Sequence, residues 1–61
     1  MDTNKFMMLK ATVKKLQTIS VAYIKSILNV GQSEAEEMLQ KLIQGGAIEA
    51  FPIDGVNYRV R

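Results

Sequence analysis

The segment Asn29-Val30-Gly31 constrains this chain more than any other, because it leaves so little room between two amphipathic helices. Upstream, Val21, Ile24, Ile27 and Leu28 recur at helical spacing; downstream, Ala35, Met38, Leu39, Leu42 and Ile43 do the same. Two apolar stripes joined by a turn this short have to pack against each other, which is a helix-turn-helix. Ser20 is placed to cap the first helix, expected over 21–28. Ser33 is expected to open the second, with Ser33-Glu34-Ala35-Glu36 reading as a capping box. Gly31 is the residue expected to take a positive φ in the turn. Gly45-Gly46 closes the second helix, since glycine adopts left-handed geometry at low cost.

On either side of this core the chain supplies more elements. Phe6, Leu9, Val13 and Leu16 make one apolar face of a helix over 3–16, broadened by Met7 and Met8 and capped by Asp2 or Thr3. Lys10, Lys14 and Lys15 fall mostly on its other side and toward its C-terminal end, where cations suit the helix dipole. Residues 18–20 are short and partly β-branched, as in a small strand. Residues 47–51 and 56–60 read as two strands of a hairpin joined through Asp54-Gly55, with Pro52 at the end of an edge strand. The order is helix, short strand, helix, turn, helix, hairpin. The expected fold is therefore a single α+β domain over 1–61, a small winged helix. It has a three-helix helix-turn-helix core, a three-stranded sheet and a short C-terminal β-hairpin wing at 52–55.

Composition narrows the function. The chain has 61 residues, no cysteine and no histidine, so disulfides, thiolate metal sites and the commonest general base are all missing. There is no phosphate-cradling glycine loop, and a domain this small has little room for a substrate pocket. The expectation is a non-enzyme without cofactor or metal. No apolar run reaches the roughly 18 residues of a membrane span, and the N-terminus lacks the basic-then-apolar order of a signal peptide. A cytoplasmic protein follows as the expectation. The four methionines, Met1, Met7, Met8 and Met38, read as core filling, except that the consecutive Met7 and Met8 are not both expected to be buried and one of them could mark a dimer or partner contact. Phe51 and Tyr58 read as neighbours in the core or on a sheet face, and Tyr23 as an exposed residue of the second helix.

Charge is distributed unevenly. Residues 1–31 carry Lys5, Lys10, Lys14, Lys15 and Lys25 against Asp2 alone. Residues 32–61 carry Lys41, Arg59 and Arg61 against Glu34, Glu36, Glu37, Glu49 and Asp54. Such asymmetry points to nucleic acid or to an oriented protein contact.

In one stretch the chain resembles a known family. Residues 30–48, VGQSEAEEMLQKLIQGGAI, are similar to the helix-turn-helix core of the gamma domain of FtsK-type DNA translocases, a small winged helix that recognises short DNA sequences. The likeness rests on Val30-Gly31, Ala35, Met38-Leu39, Leu42, Gly46 and Ile48, with a looser match at Ile19-Ser20. It implies the fold. Where that family places a tyrosine, an asparagine and two arginines against DNA, this chain has Gln32, Ser33, Glu34 and Glu37.

The first expectation for function is a winged-helix DNA-binding module, regulatory or accessory, that holds duplex DNA mainly by its phosphates. Lys25, Lys41, Arg59 and Arg61 would supply the cations. Gln32, Ser33 and Gln40 would face base edges, and Ser20 completes the set. A homodimer would double the cations available. The alternative is a winged helix used for protein contact, with the acidic third helix facing a basic partner. The three glutamates bear on both. They stabilise the first turn of their helix through its dipole, and they repel phosphate.

Overall fold

The computed structural model describes residues 2–61; Met1, expected in the core, lies outside them. Three helices and a small antiparallel sheet follow in the order α1 (Thr3–Val13), β1 (Thr18–Ile19), α2 (Val21–Leu28), α3 (Gln32–Gln44) and β2 (Tyr58–Arg59). This is an α+β domain of the winged-helix type, as the element order predicts.

Local chemistry sets the helix ends. Asp2 caps α1, its carboxylate accepting from the backbone N–H groups of Asn4 at 2.9 Å and Lys5 at 3.3 Å. The helix ends at Val13 rather than at residue 16: Lys15 and Leu16 turn off it with bonds to the carbonyls of Thr12 and Val13. Ser20 caps α2 as expected, its hydroxyl accepting from the N–H of Tyr23 at 3.2 Å.

The turn into α3 is built differently from the expectation. Asn29, not Gly31, takes the left-handed conformation, with φ 54° and ψ 49°. Asparagine tolerates this region better than other residues with a Cβ. Gly31 is extended and is itself the N-cap of α3, which starts at Gln32. The capping box therefore does not form. Ser33 lies inside the helix, and the Glu36 carboxylate accepts instead from the Gln32 amide at 2.8 Å.

The far end of α3 does close on glycine. Gly46 has φ 78°, its N–H bonds to the Ile43 carbonyl, and the N–H of Ala47 reaches back to the Leu42 carbonyl, both at 3.0 Å. That pair of bonds is the Schellman arrangement, and it turns the chain toward the sheet.

Leu9 and Val13 of α1, Ile19 of β1, Ile24 and Leu28 of α2, Ala35, Met38, Leu39 and Leu42 of α3, and Ile48 form one continuous core. Phe6, Leu16, Val21, Val30, Ile43, Tyr58 and Val60 pack around it. Of the methionines Met38 is buried, whereas Met7 and Met8 are both more than half exposed. They occupy consecutive positions beside a face already filled by Phe6, Leu9 and Val13. Ile27, expected inside, is 40% exposed.

The sheet ties the chain's end to its middle. Thr18 pairs with Arg59 and Ile19 with Tyr58, and the N–H of Val60 bonds to the Gln17 carbonyl at 2.9 Å. On the other side of β2, residues 47–49 contribute a bridge between Ile48 and Val60. It is flanked by bonds from Glu49 N–H to the Arg59 carbonyl and from Arg61 N–H to the Ala47 carbonyl. The third strand is thus reduced to one rung. Past Glu49 the ladder stops, at the approach to Pro52, which lacks a donor and restricts the residue before it. The wing is consequently longer than the tight connection expected, running over 50–57.

Candidate functional site

The face of greatest interest lies where α3 meets β2. An open groove of 470 Å³ runs there, lined by Val21, Ser33, Glu36, Glu37, Leu39, Gln40 and Tyr58. α3 creates it by presenting Leu39 toward the core while Ser33, Glu36, Glu37 and Gln40 stay exposed. The register of the sheet supplies the opposite wall. Residues paired across strands share a face, so Tyr58 sits on the core side with Ile19. Arg59, one residue on, points with Thr18 to the other face of the sheet.

In a DNA-binding winged helix this third helix enters the major groove. Of the residues predicted from sequence to bind DNA, Ser33 and Gln40 line the groove here, and the remaining six do not. Ser20 is buried and occupied as the α2 cap. Lys25 donates to the Gln32 side-chain oxygen at 3.1 Å, and Gln32 donates to Glu36, which makes a short chain of contacts from α2 to the first turn of α3. Lys41 is exposed on the last turn of α3, outside the lining. Arg59 lies on the outer face of the sheet, and Arg61 ends the chain beside Ala47.

The three glutamates separate as well. Glu34 is half-buried against the start of α1, where its carboxylate accepts from the backbone N–H of Asp2 at 3.4 Å. It thus lies where the α1 dipole favours negative charge. Glu36 and Glu37 remain on the groove wall.

Just before β2 in the chain, the wing exposes large apolar side chains. Phe51 is 83% exposed, Val56 59% and Ile53 52%. Phe51 is therefore neither in the core nor on the sheet, because the chain has left the ladder before it. The loop has internal order nonetheless. The Asp54 carboxylate accepts from the N–H groups of Val56 at 3.0 Å and Asn57 at 2.8 Å and from the Asn57 side-chain amide at 2.9 Å. The N–H of Ile53 bonds to the Asn57 carbonyl at 2.7 Å. The bonds from Asn57, then Val56, favour the ionised acid and lower the Asp54 pKa from 3.8 to about 2.

Sequence reasoning did not find Tyr58 and Val21 as groove residues, nor the exposed wing. For the wing there was a signal. FPIDGV packs three large apolar residues around one turn, more than a tight hairpin connection can bury. For the groove there was none, since it depends on the pairing of β1 with β2 across most of the chain.

Set against known protein families, residues 6–58 match the PCI domain, a winged-helix-like module. No curated protein and no solved structure matches the chain. The match covers most of the sequence, and it is to this family, not to the translocase gamma domains that residues 30–48 were expected to resemble; that resemblance is not shown.

Proposed function

We propose that this chain, which belongs to the PCI domain family, works as a protein-interaction module within a larger assembly. PCI domains serve as protein–protein scaffolds in complexes. The observation that carries the reading here is the charge of the α3–β2 groove. Glu36 and Glu37 stand on its wall, and no lysine or arginine is among its lining residues. A duplex brought to this face would bring its phosphates toward two carboxylates, whereas DNA affinity depends on neutralising phosphate. Lys25, one of the predicted cations, is engaged by Gln32. The exposed apolar side chains of the wing fit the same reading, because exposed apolar surface is what protein contacts bury. In this role the domain carries no chemistry of its own and contributes surface.

A charge swap tests it. Glu36→Lys with Glu37→Lys places two cations where the wild type has two anions. The wild-type chain is expected to leave the anisotropy of a labelled random duplex unchanged and the double variant to raise it. Tight binding by the wild type, weakened by removal of Lys41 or Arg59, would contradict the proposal.

A further inference from the structure

The groove also says what kind of segment would fit it. Val21 and Leu39 give it an apolar floor, Glu36 and Glu37 an acidic wall and Tyr58 the opposite side, and Ser33 and Gln40 complete the lining. One oxygen of Glu36 accepts from Gln32, which leaves the other for an incoming donor. The groove is open to solvent, with a volume of 470 Å³. The wing carries charge of the same sign, since Asp54 lies between the exposed Ile53 and Val56 and there is no lysine or arginine from 42 to 58.

We infer that the groove receives a short cationic segment of a partner protein, an arginine or lysine flanked by an apolar residue. This rests on the protein-interaction reading above and names the partner chemistry of the same site. Charge complementarity decides the class of occupant. An anionic lipid surface or a nucleic acid would be repelled by Glu36, Glu37 and Asp54 alike. A guanidinium matches the planar geometry of a carboxylate with two parallel hydrogen bonds and stacks on an aromatic ring. Both partners for it are present, the glutamates on the wall and Tyr58 on the opposite side. The apolar neighbour of the cation then has Val21 and Leu39 to cover. A second copy of this chain is the less fitting occupant. Its own Arg59 lies on the outer face of the sheet, away from the groove, and the titration below separates a second copy from a peptide.

The test is an amide-shift titration of the full chain by NMR, with a panel of blocked hexapeptides that pair one arginine with one leucine at each spacing. The same panel with glutamate in place of arginine is the control. Shifts are expected at Ser33, Glu36, Glu37, Gln40 and Tyr58 for arginine peptides only. With Glu36→Gln and Glu37→Gln together the affinity should fall roughly tenfold, the scale of two exposed ion pairs. Both variants are isosteric and exposed, so the spectrum elsewhere should be unchanged. Three results would overturn the inference. Arginine peptides that shift nothing in the groove, while duplex DNA also fails to bind, would leave the protein-interaction reading standing and remove this partner chemistry. Shifts that grow with chain concentration and need no peptide would assign the groove to a second copy. Binding unaffected by the glutamine variants would place the contact elsewhere.

Discussion

The α2–α3 pair and the wing are two ways of ordering a small domain. Between α2 and α3, apolar burial does nearly everything. Ile24, Ala35, Met38 and Leu42 are at most 1% exposed, and the connecting turn is only three residues. In the wing the apolar residues point outward, and order comes from one carboxylate that gathers two backbone N–H groups and an amide. The first region is held by packing that any mutation of volume disturbs. The second is held by polar bonds that leave its apolar surface free for another molecule. Pre-ordering of that kind lowers the entropy lost when the loop docks.

The largest effect should come from the packed half. A chain of this length has a stability of about 3–9 kcal/mol. Leu42→Ala should cost about 2–5 kcal/mol, enough to unfold much of the population, as read by urea titration followed by circular dichroism. Ser20→Ala removes the α2 cap and should cost about 1 kcal/mol, lowering the thermal midpoint by roughly 4–8 °C. Phe51→Ser, by contrast, should move stability by no more than about 0.5 kcal/mol, because the side chain covers nothing within the chain. A large loss there would mean that the wing is part of the core after all. Smaller still is Gly31→Ser. A Cβ at this position meets nothing within 4 Å, the backbone is already extended, and serine is a better N-cap, so a gain of a few tenths of a kcal/mol is expected.

The wing has its own signature in pH. The folded Asp54 pKa, about 2, lies below the 3.8 of the free side chain. Its contribution to loop order is therefore fully present above pH 3.8 and lost as pH falls through about 2. Amide shifts of Val56 and Asn57 should titrate with a midpoint near 2, and Asp54→Ala should abolish that titration while the core amides stay in place.

Much of this architecture was legible in the sequence, for local reasons. The apolar spacing of α3, that of α2 apart from Ile27, the Ser20 cap and the Gly45-Gly46 ending are short-range patterns, and each appears where it is expected. The element order is that of the winged helix the sequence implied. What short-range reading missed arose from competition between neighbours. Asn29 took the left-handed turn, which moved the start of α3 to Gln32 and removed the capping role of Ser33. Departure from the ladder before Pro52 turned Phe51 out to solvent. The candidate site was less legible. Its walls come from α2, α3 and β2, and it is the pairing of β2 with β1 that brings Tyr58 to the helices. The predicted cations could be named from the sequence, but their dispersal over separate surfaces is a property of the fold.

The most direct measurement is a fluorescence-anisotropy titration of the wild-type chain against random-sequence duplex DNA at roughly 50 and 200 mM salt, the range in which phosphate contacts reveal themselves. A protein-facing groove walled by Glu36 and Glu37 predicts no saturable binding at either salt. Saturable binding at the lower salt that collapses at the higher one would contradict it and return this face to DNA.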